Sequence, residues 1–138
     1  MKKLLFILVP IELCFGGMQV GVYKGEGNWR SGSESGRYQV EAQITNDEIK
    51  NLYHWADQRI EFNVKTQNTS AWEFLLKNYK NQPIGLGFCM GIQCHYELKK
   101  GSDLEETLTF YQGHLYRLGS KRIQARLISW IEDLQLQN

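Results

Sequence analysis

The sequence predicts an all-β fold, a single antiparallel up-and-down β-barrel of 8–10 strands, on three observations. Short segments alternate apolar and polar side chains with a period of two, as strands with one buried and one solvated face do. Clusters of Gly, Asn, Asp and Ser punctuate them at short intervals. Aromatic residues make up 12% of the chain, with seven Tyr and four Trp against only two Pro, a balance that suits pleated surfaces. Strands so numerous must close or sandwich, because an open sheet of that size exposes its edges. The 138 residues are 42% hydrophobic and 22% charged, enough for one domain with a core of its own. Sixteen basic and fifteen acidic residues leave no net field to attract nucleic acid or an anionic membrane.

The first sixteen residues read as a signal peptide, with 17–138 as the barrel domain. Lys2 and Lys3 form a positive start, Leu4 to Val9 an apolar run, and Cys14-Phe15-Gly16 ends on the small residue that cleavage requires. The run is far shorter than the roughly 20 residues that span a bilayer, so the chain is not expected to be an integral membrane protein. Loss of Lys2, Lys3 and Glu12 would turn the sixteen basic and fifteen acidic residues into fourteen of each. A periplasmic or extracellular location follows, with a buried strand of a cytosolic protein as the other reading of residues 1–16.

Within the barrel domain, Tyr38, Val40, Ala42 and Ile44 alternate with Arg37, Gln39, Glu41 and Gln43 between the Gly32–Gly36 loop and the Asn46-Asp47 turn. Ile60, Phe62 and Val64 form the apolar side of a second strand. Ile84, Leu86, Phe88 and Met90 form a third apolar set, opposite Gly85, Gly87 and Cys89. Tyr96 and Leu98 follow, then a polar turn at 99–103, then Leu104, Leu108 and Phe110 alternating with Glu105, Thr107 and Thr109. Gln112-Gly113 turns the chain into His114–Leu118, where Tyr116 and Leu118 are the expected inner residues. Three stretches fit both periods. Thr45/Glu48 and Ser70/Glu73 have capping-box spacing, yet Ile49/Asn51/Tyr53 and Trp72/Phe74/Leu76 alternate, and strands suit the surrounding rhythm. Residues 121–134 fit either a C-terminal helix, through Ile123, Leu127, Trp130, Ile131 and Leu134, or a strand.

Without Cys14, the domain keeps an even pair, Cys89 and Cys94, whose four intervening residues suit a tight hairpin. Facing cysteines across such a turn reach disulfide distance, and an oxidising compartment favours the bridge. A metal site shared with His95, or a redox pair, would use the same residues, although metal knuckles usually come in twos and redox pairs are spaced by two residues.

Gly27-Asn28-Trp29 resembles the Gly-x-Trp motif of lipocalins, within the calycin-like barrels. The resemblance implies a Trp29 that closes one barrel end beneath a late-strand arginine, Arg117 or Arg122. Gly25 and Gly27, on one face, would let that strand coil. Tyr23 to Trp29 is also similar to the opening of nitrobindin-like haem barrels, in which a late histidine ligates haem; His114 is the residue this resemblance implies. The stretches 87–96 and 118–121 resemble segments of small exported bacterial proteins.

Signals for catalysis are sparse. No Gly-x-Ser-x-Gly elbow, phosphate-binding glycine loop or His-Glu-x-x-His is present. Glu105 and Glu106, adjacent on a strand, point to opposite faces and cannot act as a pair. His54 and His95 read as strand and hairpin residues, and Arg117, Lys121, Arg122 and Arg126 as a basic outer face. A binding module without a resident cofactor follows, a monomer taking a small apolar or amphipathic ligand among Trp29, Tyr38, Phe62, Trp72, Phe88 and Tyr96. The rival functions are a protein-interaction or inhibitor domain using the Gly32–Gly36 loop or the Cys89–Cys94 tip, and a haem barrel through His114.

Overall fold

A computed structural model describes residues 17–99 and 103–138; the proposed leader, residues 1–16, lies outside them. Ten strands follow one another: β1 (Gly21–Ser31), β2 (Glu34–Ile44), β3 (Glu48–Trp55), β4 (Gln58–Asn68), β5 (Glu73–Lys77), β6 (Pro83–Met90), β7 (Gln93–Leu98), β8 (Asp103–Tyr111), β9 (His114–Ile123) and β10 (Arg126–Leu136). Each pairs antiparallel with its sequence neighbours, and β1 pairs with β10, from Tyr23↔Leu136 to Arg30↔Ser129, to close an up-and-down barrel. No helix occurs among the described residues, and none is therefore long and apolar enough to cross a membrane.

The two capping-box sequences make turns. Ser70 Oγ accepts from the Glu73 N–H at 3.0 Å, and the Thr45 N–H donates to the Glu48 carbonyl at 3.0 Å. At Ser70 the side-chain hydrogen bond of a helix start is present, whereas at Thr45 the bond runs to the Glu48 carbonyl as in a turn; in both cases the chain then enters a strand. Residues 126–136 are β10, which corrects the alternative of a terminal helix. Leu127 and Ile131, apolar at helical spacing, are exposed, while Glu132 and Leu134 are buried. Pairing with both β1 and β9 outweighs the helical pattern because without β10 the barrel has two open edges.

Five two-residue turns, at 32–33, 56–57, 91–92, 112–113 and 124–125, join adjacent strands. All five contain a residue at positive φ, as the tight hairpin turns that match strand twist require. Ala56 adopts φ 51° with a Cβ. Ala56→Gly is expected to raise stability by about 0.5 kcal/mol, read as a higher Tm; a lower Tm would show that this turn carries no strain.

Inward glycines face inward aromatic rings across the strands. Gly27 lies opposite Tyr38, Gly36 opposite Trp29, Gly87 opposite Phe74 and Gly119 opposite Trp130. A Cβ on any of the four would come within 2.5 Å of that ring, so each ring lies flat over its partner's backbone and fills the space a side chain would take.

This pairing also decides which face of a strand is inside. On β6, Gly85, Gly87 and Cys89 point inward, while Leu86, Phe88 and Met90 are exposed. On β9, Leu115 and Arg117 are buried and Tyr116 and Leu118 are exposed, the reverse of the apolar pattern. The apolar set is the outer one on both strands because large rings from β5 and β10 occupy the interior there.

At one end, below the turns at 91–92 and 112–113, the interior is filled with apolar side chains such as Tyr23, Ile44, Ile49, Val64, Phe110 and Leu134. Tyr23 and Phe110 meet edge to face, ring centroids 5.9 Å apart. The Cys89–Cys94 bridge spans β6 and β7 at this end, with an S–S distance of 2.07 Å. Bonded sulfurs cannot be thiolate ligands, which removes the metal site with His95. Cys94→Ser together with Cys89→Ser should cost about 2 kcal/mol, since the closed loop is short. Urea unfolding with and without reductant measures this; an equal midpoint in both would contradict it.

Candidate functional site

At the other end, beneath the turns at 32–33, 56–57 and 124–125, a cavity of about 620 Å3 opens to solvent. Its walls are Trp29, Trp55, Ile60, Phe62, Leu104 and Ile128, and its rim includes Glu34, Lys121 and Arg126. The floor is polar: Tyr38, Tyr53, Tyr96, Glu106 and Trp130. Strand alternation puts these residues in layers, since each lies an even number of positions from a core residue of its own strand.

Below the floor, Arg117 is 0% exposed. It stands opposite Glu132 in the β9–β10 register, and its Nε donates to Glu132 Oε1 at 2.5 Å. Its Nη1 donates to Asn51 Oδ1 and lies 3.8 Å from Glu106 Oε1. Asn51 is held in turn by its Nδ2 donating to the Phe62 carbonyl at 2.9 Å. Tyr38 donates its hydroxyl to Glu132 Oε2 at 2.8 Å, and Tyr96 donates to Glu106 Oε1 at 2.7 Å. Trp130 Nε1 donates to Glu106 Oε2 at 2.7 Å. Two carboxylates and one guanidinium are thus buried together, each with charge-assisted hydrogen bonds that offset desolvation. Arg117 Nη2 and Trp29 Nε1 are buried without a hydrogen-bond partner among the described residues.

Burial raises the pKa of the tyrosine hydroxyls and keeps them protonated. Tyr38 is raised by burial and by Glu132, Tyr96 by burial and by Glu106, and Tyr53 by burial in spite of nearby Arg117. Tyr38 and Tyr96 are therefore donors to the carboxylates at every working pH. Burial alone would lower the Arg117 guanidinium, but Glu132 and Glu106 outweigh it and raise the pKa well above the ordinary value. The Glu132 carboxyl is raised by burial, against the attraction of Arg117, with Glu106 adding to the rise. The folded chain therefore holds this proton where the unfolded chain has released it. The Glu132 contribution to stability is full below its ordinary value of 4.5 and is lost as pH rises through the folded value.

Of the expected ligand contacts, Trp29, Tyr38, Phe62 and Tyr96 come together around the cavity. Trp72 and Phe88 do not. Trp72 precedes β5 and is 51% exposed, and Phe88, on the outer face of β6, is 49% exposed. The Trp29 ring lies on Gly36 and tilts against Trp55, centroids 5.2 Å apart. Arg117 pairs with buried carboxylates instead of capping this ring, and Arg122 is exposed at the end of β9. The basic run at 117–126 is therefore split, with Arg117 inside the barrel. His114 points outward, stacked on Tyr116 with its Nδ1 3.1 Å from Asp133 Oδ1, because inward parity on β9 belongs to Leu115 and Arg117. The interior thus offers no histidine at this position for haem.

Asn51, Tyr53, Trp55, Glu106, Trp130 and Glu132 were not among the expected contacts. For Asn51, Glu106 and Glu132 the signal was a polar residue at an apolar parity: Ile49-x-Asn51-x-Tyr53, Leu104-x-Glu106-x-Leu108 and Trp130-x-Glu132-x-Leu134. A polar group at a core position needs buried partners, and several strands that each carry one supply them to each other. On the outer face, His95, Glu97 and Glu105 bring ligand atoms within 4.8 Å of one another. His95 Nδ1 is hydrogen-bonded to Thr107 Oγ1 at 2.9 Å, and Glu97 also faces Lys99 at 3.8 Å. Comparison of the chain with family models, with curated proteins and with solved structures finds no match.

Proposed function

We propose that the protein is an exported, lipocalin-like binding barrel that holds one small amphipathic molecule in the cavity at its open end. One observation carries this: an aromatic-walled cavity of about 620 Å3 above a hydrogen-bonded polar floor. That volume lies within the range of small-molecule sites, roughly 300–1,000 Å3, which combine apolar walls with a few placed polar groups. The apolar plug at the opposite end and the disulfide keep the walls in place, so that little ordering is needed on binding. Export is supported by the leader-like residues 1–16 and by the Cys89–Cys94 bridge.

The test is a titration with N-phenylnaphthylamine, whose fluorescence rises in apolar surroundings. One saturable site per chain is expected. Ile128→Trp, which adds an indole inside the cavity, should weaken binding by about tenfold or more, equivalent to 1.4 kcal/mol. Non-saturable binding, or binding that Ile128→Trp leaves intact, would contradict the proposal.

A further inference from the structure

We infer that the ligand of this cavity is a cation, an ammonium-bearing aromatic or alkyl molecule whose positive end meets the Glu106 carboxylate. The inference rests on the cavity being a binding site and concerns the class of ligand it selects.

The floor offers acceptors. Trp130 Nε1 and the Tyr38 and Tyr96 hydroxyls, three of the floor donors, already donate to carboxylates. What they leave is acceptor capacity, because each Glu106 oxygen receives one of these bonds and has room for another. The two fully buried donors without partners do not serve a ligand at the floor, and the Tyr53 hydroxyl, the remaining floor donor, can accept as well as donate. Arg117 Nη2 belongs to a side chain that does not line the cavity, and the Trp29 Nε1 edge is turned onto Gly36. An anion at the floor would stand beside Glu106 with the one nearby guanidinium already engaged by Glu132 and Asn51.

Charge and shape agree with this. Glu106 is the one formally charged residue of the floor, and beneath it Arg117 is shared between two carboxylates. Above it stand the rings of Trp29, Trp55 and Phe62, whose negative faces attract a cation stripped of water. At the rim, Arg126 is paired with Glu34 at 2.9 Å, while Lys121 has no ion-pair partner among the described residues. Lys121 repels an ammonium at the mouth and so favours its resting at Glu106. The opposite orientation, a carboxylate held at Lys121 with its tail inside, would press an apolar tail against unmet acceptors.

Three probes of matched shape separate these cases: naphthylethylamine, naphthylpropanoate and ethylnaphthalene, titrated calorimetrically into the intact protein at neutral pH. The amine is expected to bind at least about tenfold tighter than either of the others. Glu106→Gln should reduce amine affinity to that of ethylnaphthalene, whose own binding reports that the cavity is intact. Should Glu106→Gln fail to fold, the ranking of the three probes on the native protein decides alone. Equal affinities, or a tighter naphthylpropanoate whose binding falls on Lys121→Ala, would overturn the inference while leaving the cavity a binding site. Failure of all three probes would overturn the binding proposal itself.

Discussion

Arg117→Met is expected to cost about 3–5 kcal/mol at neutral pH, because it leaves charge buried without a counter-ion. Methionine keeps the volume, so the loss is electrostatic: Glu132 and Glu106 remain inside the barrel without the guanidinium between them. As pH falls, Glu132 takes up a proton, and the penalty should shrink. Glu132 is already raised with Arg117 present, and removing the arginine raises it further, so recovery should start well above its ordinary value of 4.5. Urea unfolding of native and variant proteins at neutral and mildly acidic pH measures both effects. A loss of the same size at both pH values would assign it to packing. Replacing Arg117, Glu106 and Glu132 together by apolar residues should recover much of the stability, as exchanged buried ion triads do.

Gly25→Ala should cost about 2–3 kcal/mol, within the range for overpacked sites. A Cβ on Gly25 would lie 2.1 Å from the Asp133 carbonyl oxygen and 2.9 Å from the Leu134 Cα, both backbone atoms. No rotamer change relieves such a contact, so β1 must move from β10 at the seam that closes the barrel. At Gly27 the obstruction is the Tyr38 ring, a side chain that can swing at the expense of its bond to Glu132. Amide hydrogen exchange checks the difference: Gly25→Ala should raise exchange along β1 and β10. Exchange that rises elsewhere instead, with the seam protected, would contradict the closed register.

The fold was legible because alternation survives in most strands, and Tyr38/Val40/Ala42/Ile44 point inward as their pattern implies. What periodicity does not say is which of two faces is inside. On β6 and β9 the larger apolar residues are outside, since the interior volume belongs to Phe74 and Trp130 from neighbouring strands. Inference from apolarity therefore placed Phe88 inside, while Gly87 and Gly119 mark the true inner faces. The aromatic half of the site was partly visible, through Trp29, Tyr38, Phe62 and Tyr96. The acidic floor was not, because Glu106 and Glu132 lie 26 residues apart and become partners of one arginine only through the β8–β9–β10 register.

The four tryptophans give the most direct test of where the ligand binds. Trp29, Trp55 and Trp130 line the cavity, whereas Trp72 lies outside it beside Cys89, whose N–H donates to the Trp72 carbonyl at 2.7 Å. In a nitrogen-15 NMR titration with naphthylethylamine, the indole N–H signals of Trp29, Trp55 and Trp130 should shift together and saturate at one equivalent. The Trp72 signal should stay in place. Saturable binding that shifts Trp72 and leaves the other three unmoved would put the ligand elsewhere on the barrel and contradict the site described here.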